Sequence, residues 1–159
     1  MTDDLAARVL AAARARGWHI ATAESCTGGM VGAALTDIAG SSDVFDRGYV
    51  TYSNAAKTEM IVVPPALIAA HGAVSEPVAR AMAEGARAAS GADLAVAITG
   101  VAGPGASEAK PEGTVWFAVA TAAGTAAERR DFGPIGRARI RHESTRAALT
   151  LVLRAVSGD

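Results

Sequence analysis

Two hydroxyl groups and a thiol stand next to one another at Ser25, Cys26 and Thr27. The apolar run over residues 18–23 precedes them and predicts a short buried strand, and a helical pattern follows. The first N–H groups of a helix lack partners within it and carry partial positive charge, so they suit an anion or a developing oxyanion. This turn is therefore the first candidate site, and its members are Glu24, Ser25, Cys26, Thr27, Gly28 and Gly29.

A base is needed before Ser25 becomes a useful nucleophile. The three histidines have no catalytic motif around them, which leaves a Ser-His-Asp triad unsupported. The chain has two lysines, Lys57 and Lys110, and Lys57 follows a predicted second strand by one helical turn. It could act as a base near neutral pH if burial or a nearby cation lowers its pKa by about three units. The alternative is a solvated lysine on a helix.

Two neighbours of Ser25 have more than one interpretation. Cys26 competes with Ser25 as the nucleophile, although a lone thiol in a turn can simply be packed and unreactive. Glu24 could form an ion pair with Lys57, or it could cap the turn.

A second candidate region is the glycine-rich loop after the apolar run at residues 94–99. Its N–H groups, including those of Gly100 and Gly103, could hold a phosphate or a ribose. The loop has neither the dinucleotide-binding spacing nor the lysine of a phosphate loop.

Three arginines crowd the start of the last predicted helix, at Arg137, Arg139 and Arg141. Cations at that end of a helix oppose its dipole, and an anionic ligand would offset the cost. The group therefore indicates a phosphate site, with a solvated basic helix end as the alternative.

The elements that must position these residues follow from hydrophobic periodicity and turn signals. Helices alternate with strands and give way to a hairpin, which predicts one three-layer α/β domain over residues 1–159 with a mixed, mostly parallel sheet. Ligands bind at the carboxyl ends of such strands, so the turn, Lys57 and the glycine-rich loop should meet. The predicted helices are 3–16, 27–39, 55–60, 64–71, 75–90 and 136–156, and the predicted strands are 18–23, 45–53, 94–99, 115–121 and 126–132.

The composition excludes several classes of protein. Half of the 159 residues are apolar and 19% are charged, as in a globular domain. A net charge of −1 gives no general attraction to nucleic acid or to an anionic membrane. No apolar run approaches the ~20 residues that span a bilayer. A single cysteine excludes a disulfide framework and fits a reducing cytoplasm, where we expect the protein.

Several stretches, taken together and in order, resemble the CinA C-terminal domain family. They cover nearly the whole chain: TAESCTGG at 22–29, GSS at 40–42, GYVTYSNAAK at 48–57, HGAVS at 71–75, TGVAGPG at 99–105, KPEGTV at 110–115, Arg137 and residues 140–141. The resemblance implies a three-layer α/β/α domain with a mixed five-stranded sheet. It also implies a serine amidohydrolase that uses a lysine, needs no metal or other cofactor, and deamidates nicotinamide mononucleotide.

By position, the resemblance makes Ser25 and Lys57 the catalytic dyad and adds Tyr52 and Ser42 as further catalytic residues. Ser42 could even be the attacking hydroxyl, with Ser25 in the oxyanion site. The substrate-binding residues would be Glu24, Cys26, Thr27, Gly28, Gly29, Thr99, Gly100, Gly103, Arg137 and Arg141.

Two positions depart from the family pattern. The usual Gly-Asp-Arg before the last helix is Ile135-Gly136-Arg137, and the usual Gly-Gly after Gly-Pro is Gly105-Ala106. Either change could alter contacts to phosphate or ribose.

The expected partner is a small-molecule substrate, with no nucleic acid and no membrane, in a homo-oligomer that is a dimer or higher. Two other functions remain as alternatives: hydrolysis of another nucleotide, and a non-enzymatic role in DNA uptake or recombination. Nucleotide hydrolysis would normally need a carboxylate cluster for a metal, and Glu24, Asp37, Asp43 and Asp46 lack ligand spacing.

Overall fold

A five-stranded sheet organises the part of the chain that the computed structural model describes, residues 2–159. Its strands are β1 Ile20–Glu24, β2 Phe45–Val50, β3 Leu94–Gly100, β4 Thr114–Thr121 and β5 Gly124–Asp131. The helices are α1 Thr2–Arg16, α2 Met30–Thr36, α3 Asn54–Ile61, α4 Pro65–His71, α5 Glu76–Ser90 and α6 Arg137–Ser157, with a 3₁₀ turn at Ser41–Asp43.

The sheet is mixed, as the sequence predicts. Its spatial order is β2-β1-β3-β4-β5, with β1 parallel to both β2 and β3. β4 runs antiparallel to β3 and to β5, so four of the five strands point in one direction. The carboxyl ends of β1, β2 and β3 therefore lie side by side at one edge of the sheet.

The two faces of the sheet carry side chains of different size. The larger apolar residues of the strands, such as Ile98 and Phe117, pack against α1, α2 and α6. The opposite face is mostly alanine, including Ala21, Ala97 and Ala118, and it packs against α5. Because alanine is short, α5 can lie close to the sheet. β3 is the central strand and is buried on both faces, as its continuous run of small apolar residues predicts.

A close contact between two helices fixes α3, the helix that carries Lys57. Gly85 of α5 lies against the carbonyl group of Ile61, the last residue of α3, and a Cβ atom at Gly85 would overlap that oxygen. Ile61 is itself fully buried against α5. The absence of a side chain at Gly85 is thus what lets α3 dock at this distance.

α2 is shorter than the sequence predicts. It begins at Met30 rather than at about Thr27, and it ends at Thr36 rather than at Ala39. Gly28 and Gly29 hold left-handed backbone angles (φ 56° and 107°), so the chain makes an extra turn before it becomes helical.

We expect Gly85→Ala to destabilise the fold, although glycine-to-alanine changes inside helices usually stabilise them by about 0.5–1 kcal/mol. Overlap with the Ile61 carbonyl should cost about 1–3 kcal/mol in the free energy of unfolding, measured in urea. Glu84→Ala, an exposed change on the same helix, should stay within about 0.5 kcal/mol of the parent. A Gly85→Ala protein as stable as the parent would show that α3 does not depend on this contact.

Candidate active site

Residues that follow three neighbouring strands meet in one cavity of about 270 Å³. Ser25 follows β1, and its N–H donates to Ile98 O on β3 at 2.9 Å. Tyr52 and Lys57 follow β2. Thr99 and Gly100 are the last two residues of β3, and the loop that continues to Glu108 comes after them. The prediction that these regions meet at the carboxyl ends of the parallel strands is confirmed.

Ser25 and Lys57 are in direct contact at the bottom of this cavity. Lys57 Nζ lies 3.1 Å from Ser25 Oγ, 3.1 Å from the carbonyl oxygen of Tyr52 and 3.5 Å from that of Ser53. Lys57 is 1% exposed and Ser25 is 8% exposed. The amine donates to all three oxygens, and the Ser25 hydroxyl donates in turn to Tyr52 O at 3.4 Å. If the amine loses one proton, its lone pair becomes an acceptor within reach of the Ser25 O–H.

The surroundings of Lys57 favour that neutral form. Burial lowers the pKa of Lys57 from its ordinary value, and the negative charge of Glu108 acts in the opposite direction. Lys57 forms no salt bridge with any residue of the range 2–159. Burial is the larger of the two effects, so the pKa of Lys57 lies below its ordinary value.

The residue at which α3 begins determines where Lys57 lies. Ser53 caps the helix, because its Oγ accepts a hydrogen bond from Ala56 N at 3.0 Å. The cap is thus the residue directly before Asn54, where α3 begins. Lys57 then lies one turn into the helix on its buried side, with Ile61 one turn further on.

Glu24 caps α2 and is not brought into the cavity. Its carboxylate accepts hydrogen bonds from Thr27 Oγ1 (2.7 Å), Val31 N (2.9 Å) and Gly32 N (3.0 Å), and the residue is 1% exposed. It therefore forms no ion pair with Lys57. The N-terminus of α2 is also closed to an external anion, since Glu24 already occupies it.

The turn after Ser25 still offers two N–H groups. Within residues 2–159, the N–H groups of Cys26 and Thr27 have no hydrogen-bond acceptor, whereas Gly28 N donates to Ser25 O at 3.0 Å. Arg141 Nε donates to Cys26 O at 3.0 Å, which braces the turn from its carbonyl side. Neither Thr27, Gly28, Gly29 nor Arg141 lines the cavity, so their contribution is to the shape of the turn.

Cys26 lines the cavity but is poorly suited to attack. Burial raises the pKa of the Cys26 thiol to about 12, and the residue is 5% exposed. A thiol with that pKa stays protonated at neutral pH, and the thiolate is the form that attacks. Of the two neighbouring candidates, Ser25 alone contacts the amine of Lys57.

Ser42 lies at the opposite end of the strands from the cavity, beside their amino ends. It sits in the 3₁₀ turn Ser41–Asp43, directly before β2, whereas Ser25 follows the carboxyl end of the neighbouring parallel strand. The five residues of β1 separate the two edges, a distance of roughly 15 Å. Within one chain Ser42 therefore cannot share a site with Ser25, and the expectation that it does is wrong.

Arg137 closes one side of the cavity. Its guanidinium donates to Gly103 O at 2.6 Å and to the hydroxyl of Tyr52 at 3.1 Å. Tyr52 is 59% exposed and bonds Lys57 through its carbonyl oxygen, not through its phenol. Thr99 also lines the cavity, where its Oγ1 donates to Ala73 O at 2.9 Å. Of the three arginines near the start of α6, Arg137 is the one in the wall.

The sequence did not single out Glu108, which also lines the cavity. Glu108 and Ala109 form a tight turn with left-handed backbone angles, closed by two hydrogen bonds between Ser107 and Lys110. No motif surrounds Glu108, so only the folded loop reveals it. The three histidines are exposed, and none lines the cavity.

Comparison with known proteins agrees with this geometry. The family model of the CinA C-terminal domain matches residues 2–156. The chain belongs to the CinA C-terminal domain family. Another member, the nicotinamide-nucleotide amidohydrolase PncC of Escherichia coli (strain K12), is 54% identical over 94% of this chain and 93% of its own. The "CinA-like protein" of Mycolicibacterium gilvum is 55% identical over 99% of this chain, which spans only 36% of that longer protein.

Solved structures of CinA proteins share the fold over the full chain. A CinA superfamily protein from Klebsiella pneumoniae matches with a TM-score of 0.96 at 37% identity, covering 100% of this chain and 99% of its own. A competence/damage-inducible protein from Agrobacterium tumefaciens matches with a TM-score of 0.93 at 44% identity, covering 98% and 95%. In this CinA domain, none of the helices described has the length and apolar character needed to cross a membrane.

We expect native Cys26 to resist alkylation by iodoacetamide at pH 7–8, since the thiol is buried and its pKa is about 12. The modified fraction can be followed by mass spectrometry. In guanidinium chloride the same cysteine should react at the rate of an ordinary thiol. Equal rates in the native and the unfolded protein would contradict the burial of Cys26.

Proposed function

We propose that this protein hydrolyses the carboxamide of nicotinamide mononucleotide, giving nicotinate mononucleotide and ammonia. The observation that carries the proposal is the 3.1 Å contact between Ser25 Oγ and the buried Lys57 Nζ, inside a cavity at the carboxyl ends of the parallel strands. The 54% identity to a protein named nicotinamide-nucleotide amidohydrolase supports the choice of substrate. Both chains are covered almost completely in that match, so the whole domain is compared.

The first half of the reaction is acylation of Ser25. Neutral Lys57 takes the proton of the Ser25 hydroxyl as its oxygen attacks the amide carbon, and a tetrahedral intermediate forms. The carbon–nitrogen bond then breaks, and protonated Lys57 passes its proton to the leaving nitrogen, which departs as ammonia. The pyridinium charge of the substrate further lowers the pKa of Lys57 and so favours the reactive form of the dyad.

The second half restores the enzyme. A water molecule attacks the ester carbonyl while Lys57, neutral again, takes one of its protons. The ester bond breaks, Lys57 returns a proton to Ser25 Oγ, and the carboxylic acid that forms loses its proton to solvent and leaves as nicotinate mononucleotide. The residues do not need a metal for these steps, and the described residues contain no cluster of metal-ligating side chains.

The N–H group of Cys26 is the proposed oxyanion donor, since Cys26 is the residue of the turn after Ser25 that lines the cavity. This N–H directly follows the nucleophile and lacks an acceptor within residues 2–159. The contribution of one such donor to the transition state is about 3–4 kcal/mol. The sequence predicts that the first N–H groups of the helix after Ser25 hold the oxyanion. Glu24 already accepts hydrogen bonds from those of α2, which leaves the turn itself.

Arg137 is the proposed partner of the substrate phosphate. It lines the cavity, while its present acceptors are one backbone carbonyl and one phenol. A phosphate carries more negative charge than either acceptor, so it would compete well for the guanidinium. Thr99, Gly100 and Gly103 form the adjacent wall and would contact the ribose.

The proposal extends to assembly and location. We propose a homo-oligomer, supported by exposed apolar side chains at or just after the ends of β2 and α3, at Val50, Tyr52, Met60 and Val62. The single buried thiol supports a location in the reducing cytoplasm.

Ser25→Ala should abolish ammonia release from nicotinamide mononucleotide and leave the fold intact, because the side chain is small and makes few contacts. Cys26→Ala, the matched change at the next residue, should keep most of the activity. Both are read by ammonia release at saturating substrate and by circular dichroism. An active Ser25→Ala protein together with an inactive Cys26→Ala protein would make the thiol the nucleophile.

Lys57→Arg should still bind the nucleotide but lose more than tenfold in kcat, since guanidinium does not give up its proton in this range. In the parent, kcat/KM should rise with pH while Lys57 loses its proton and level off above its lowered pKa. A Lys57→Arg protein that retains over about a tenth of kcat, a loss under ~1.4 kcal/mol, would show that Lys57 is not the base.

A further inference from the structure

Glu108 gives the cavity a negative pole that the proposed mechanism does not use. Three charged residues line the cavity within the range 2–159: Lys57, Arg137 and Glu108. Of these, only Glu108 carries negative charge. Glu108 lines the same cavity as Ser25 and Lys57, where the amide must react.

The Glu108 carboxylate is held in place by a separate loop. One oxygen accepts a hydrogen bond from Ala73 N and the other from Val74 N, each at 3.1 Å. Ala73 is in turn fixed to β3, because its carbonyl oxygen accepts the hydrogen bond of Thr99. A carboxylate fixed in this way keeps its position before any ligand arrives.

The neighbouring Lys110 reduces this charge only in part. Lys110 Nζ lies 3.6 Å from Glu108 Oε2 and does not line the cavity. It also donates to His71 O at 2.9 Å. The side chain of Glu108 remains 31% exposed, so a ligand in the cavity can still face its carboxylate.

We propose that Glu108 is a specificity-determining residue that selects nucleotides with a cationic ring. Arg137 and Glu108 give the cavity two poles, and a ligand with a phosphate at one end and a pyridinium at the other matches both. A neutral aromatic or dihydropyridine carboxamide would match only the arginine pole. After hydrolysis, the new carboxylate of the product would face the same negative charge, which favours its release.

This inference rests on the proposed function for its choice of ligand, and it is tested by binding alone. Ser25→Ala serves as the parent, so that no ligand is consumed. It is titrated calorimetrically with nicotinamide mononucleotide and with its reduced form, which has the same phosphate and carboxamide but an uncharged ring. The parent should bind the oxidised form at least fivefold more tightly.

Adding Glu108→Gln should weaken binding of the oxidised form about five- to tenfold and change binding of the reduced form less than twofold. Glu112→Gln is the matched control: it lies in the same loop and holds Gly105 N at 2.6 Å, but it does not line the cavity. Its effect should be equal for the two ligands. Glu108→Asp keeps the charge while losing hydrogen-bond reach, and it should retain most of the preference.

Equal weakening of both ligands by Glu108→Gln, or no weakening of either, would overturn the inference. A Glu108→Asp protein without the preference would overturn it as well, since contacts and not charge would then matter. These outcomes are independent of catalysis. A protein that binds with this preference but releases no ammonia would refute the proposed hydrolysis and leave the role of Glu108 standing.

Discussion

A lysine buried without a carboxylate partner is the feature on which the rest of this site depends. Lys57 is 1% exposed, and its Nζ contacts two backbone carbonyls and the Ser25 hydroxyl. Burial disfavours the charged form of the amine, so its pKa falls below the ordinary value of 10.5. Below the folded-state pKa, the buried charge costs stability in full. As pH rises from that pKa towards 10.5, the unfolded chain holds more protons than the folded one, and the cost is relieved.

The scaffold holds this unfavourable group in place. The alanine face of the sheet lets α5 lie close to it, and Gly85 lets α3 pack against α5. The Ser53 cap fixes the start of α3, which places Lys57 beside Ser25. On the other side, Glu24 holds α2 and so shapes the turn that carries Ser25. Ser25 and Lys57 thus come from the ends of two neighbouring strands, and a capped helix fixes each of them.

Much of this could be predicted from sequence. The continuous apolar run of β3 identified the central strand, and the rule that parallel strands end at one edge brought Ser25, Lys57 and Thr99 together. Motif resemblance cannot give a distance between edges of a sheet. For that reason the family resemblance groups Ser42 with Ser25, although Ser42 precedes β2 and Ser25 follows β1.

The other site residues that the sequence does not predict correctly are side chains with partners far away in the sequence, or with two possible partners nearby. Glu24 was open to two interpretations, and only the extra turn at Gly28 and Gly29 brings the amides of α2 onto its carboxylate. Glu108 had no local signal at all, because its partners Ala73 and Val74 lie more than thirty residues away. Such contacts depend on how loops fold over the sheet, and hydrophobic periodicity carries no information about that.

The pKa of Lys57 tests the central claim most directly, and it can be measured without substrate. The chain has two lysines, Lys57 and Lys110, so ¹³C-lysine labelling gives two side-chain signals to follow by NMR over pH. Lys57→Arg removes one of them and assigns it. We expect the amine of Lys57 to titrate with a pKa below 10.5 in the folded protein. If Lys57 keeps its proton up to 10.5 or beyond, it cannot be the base beside Ser25, and the dyad mechanism is wrong.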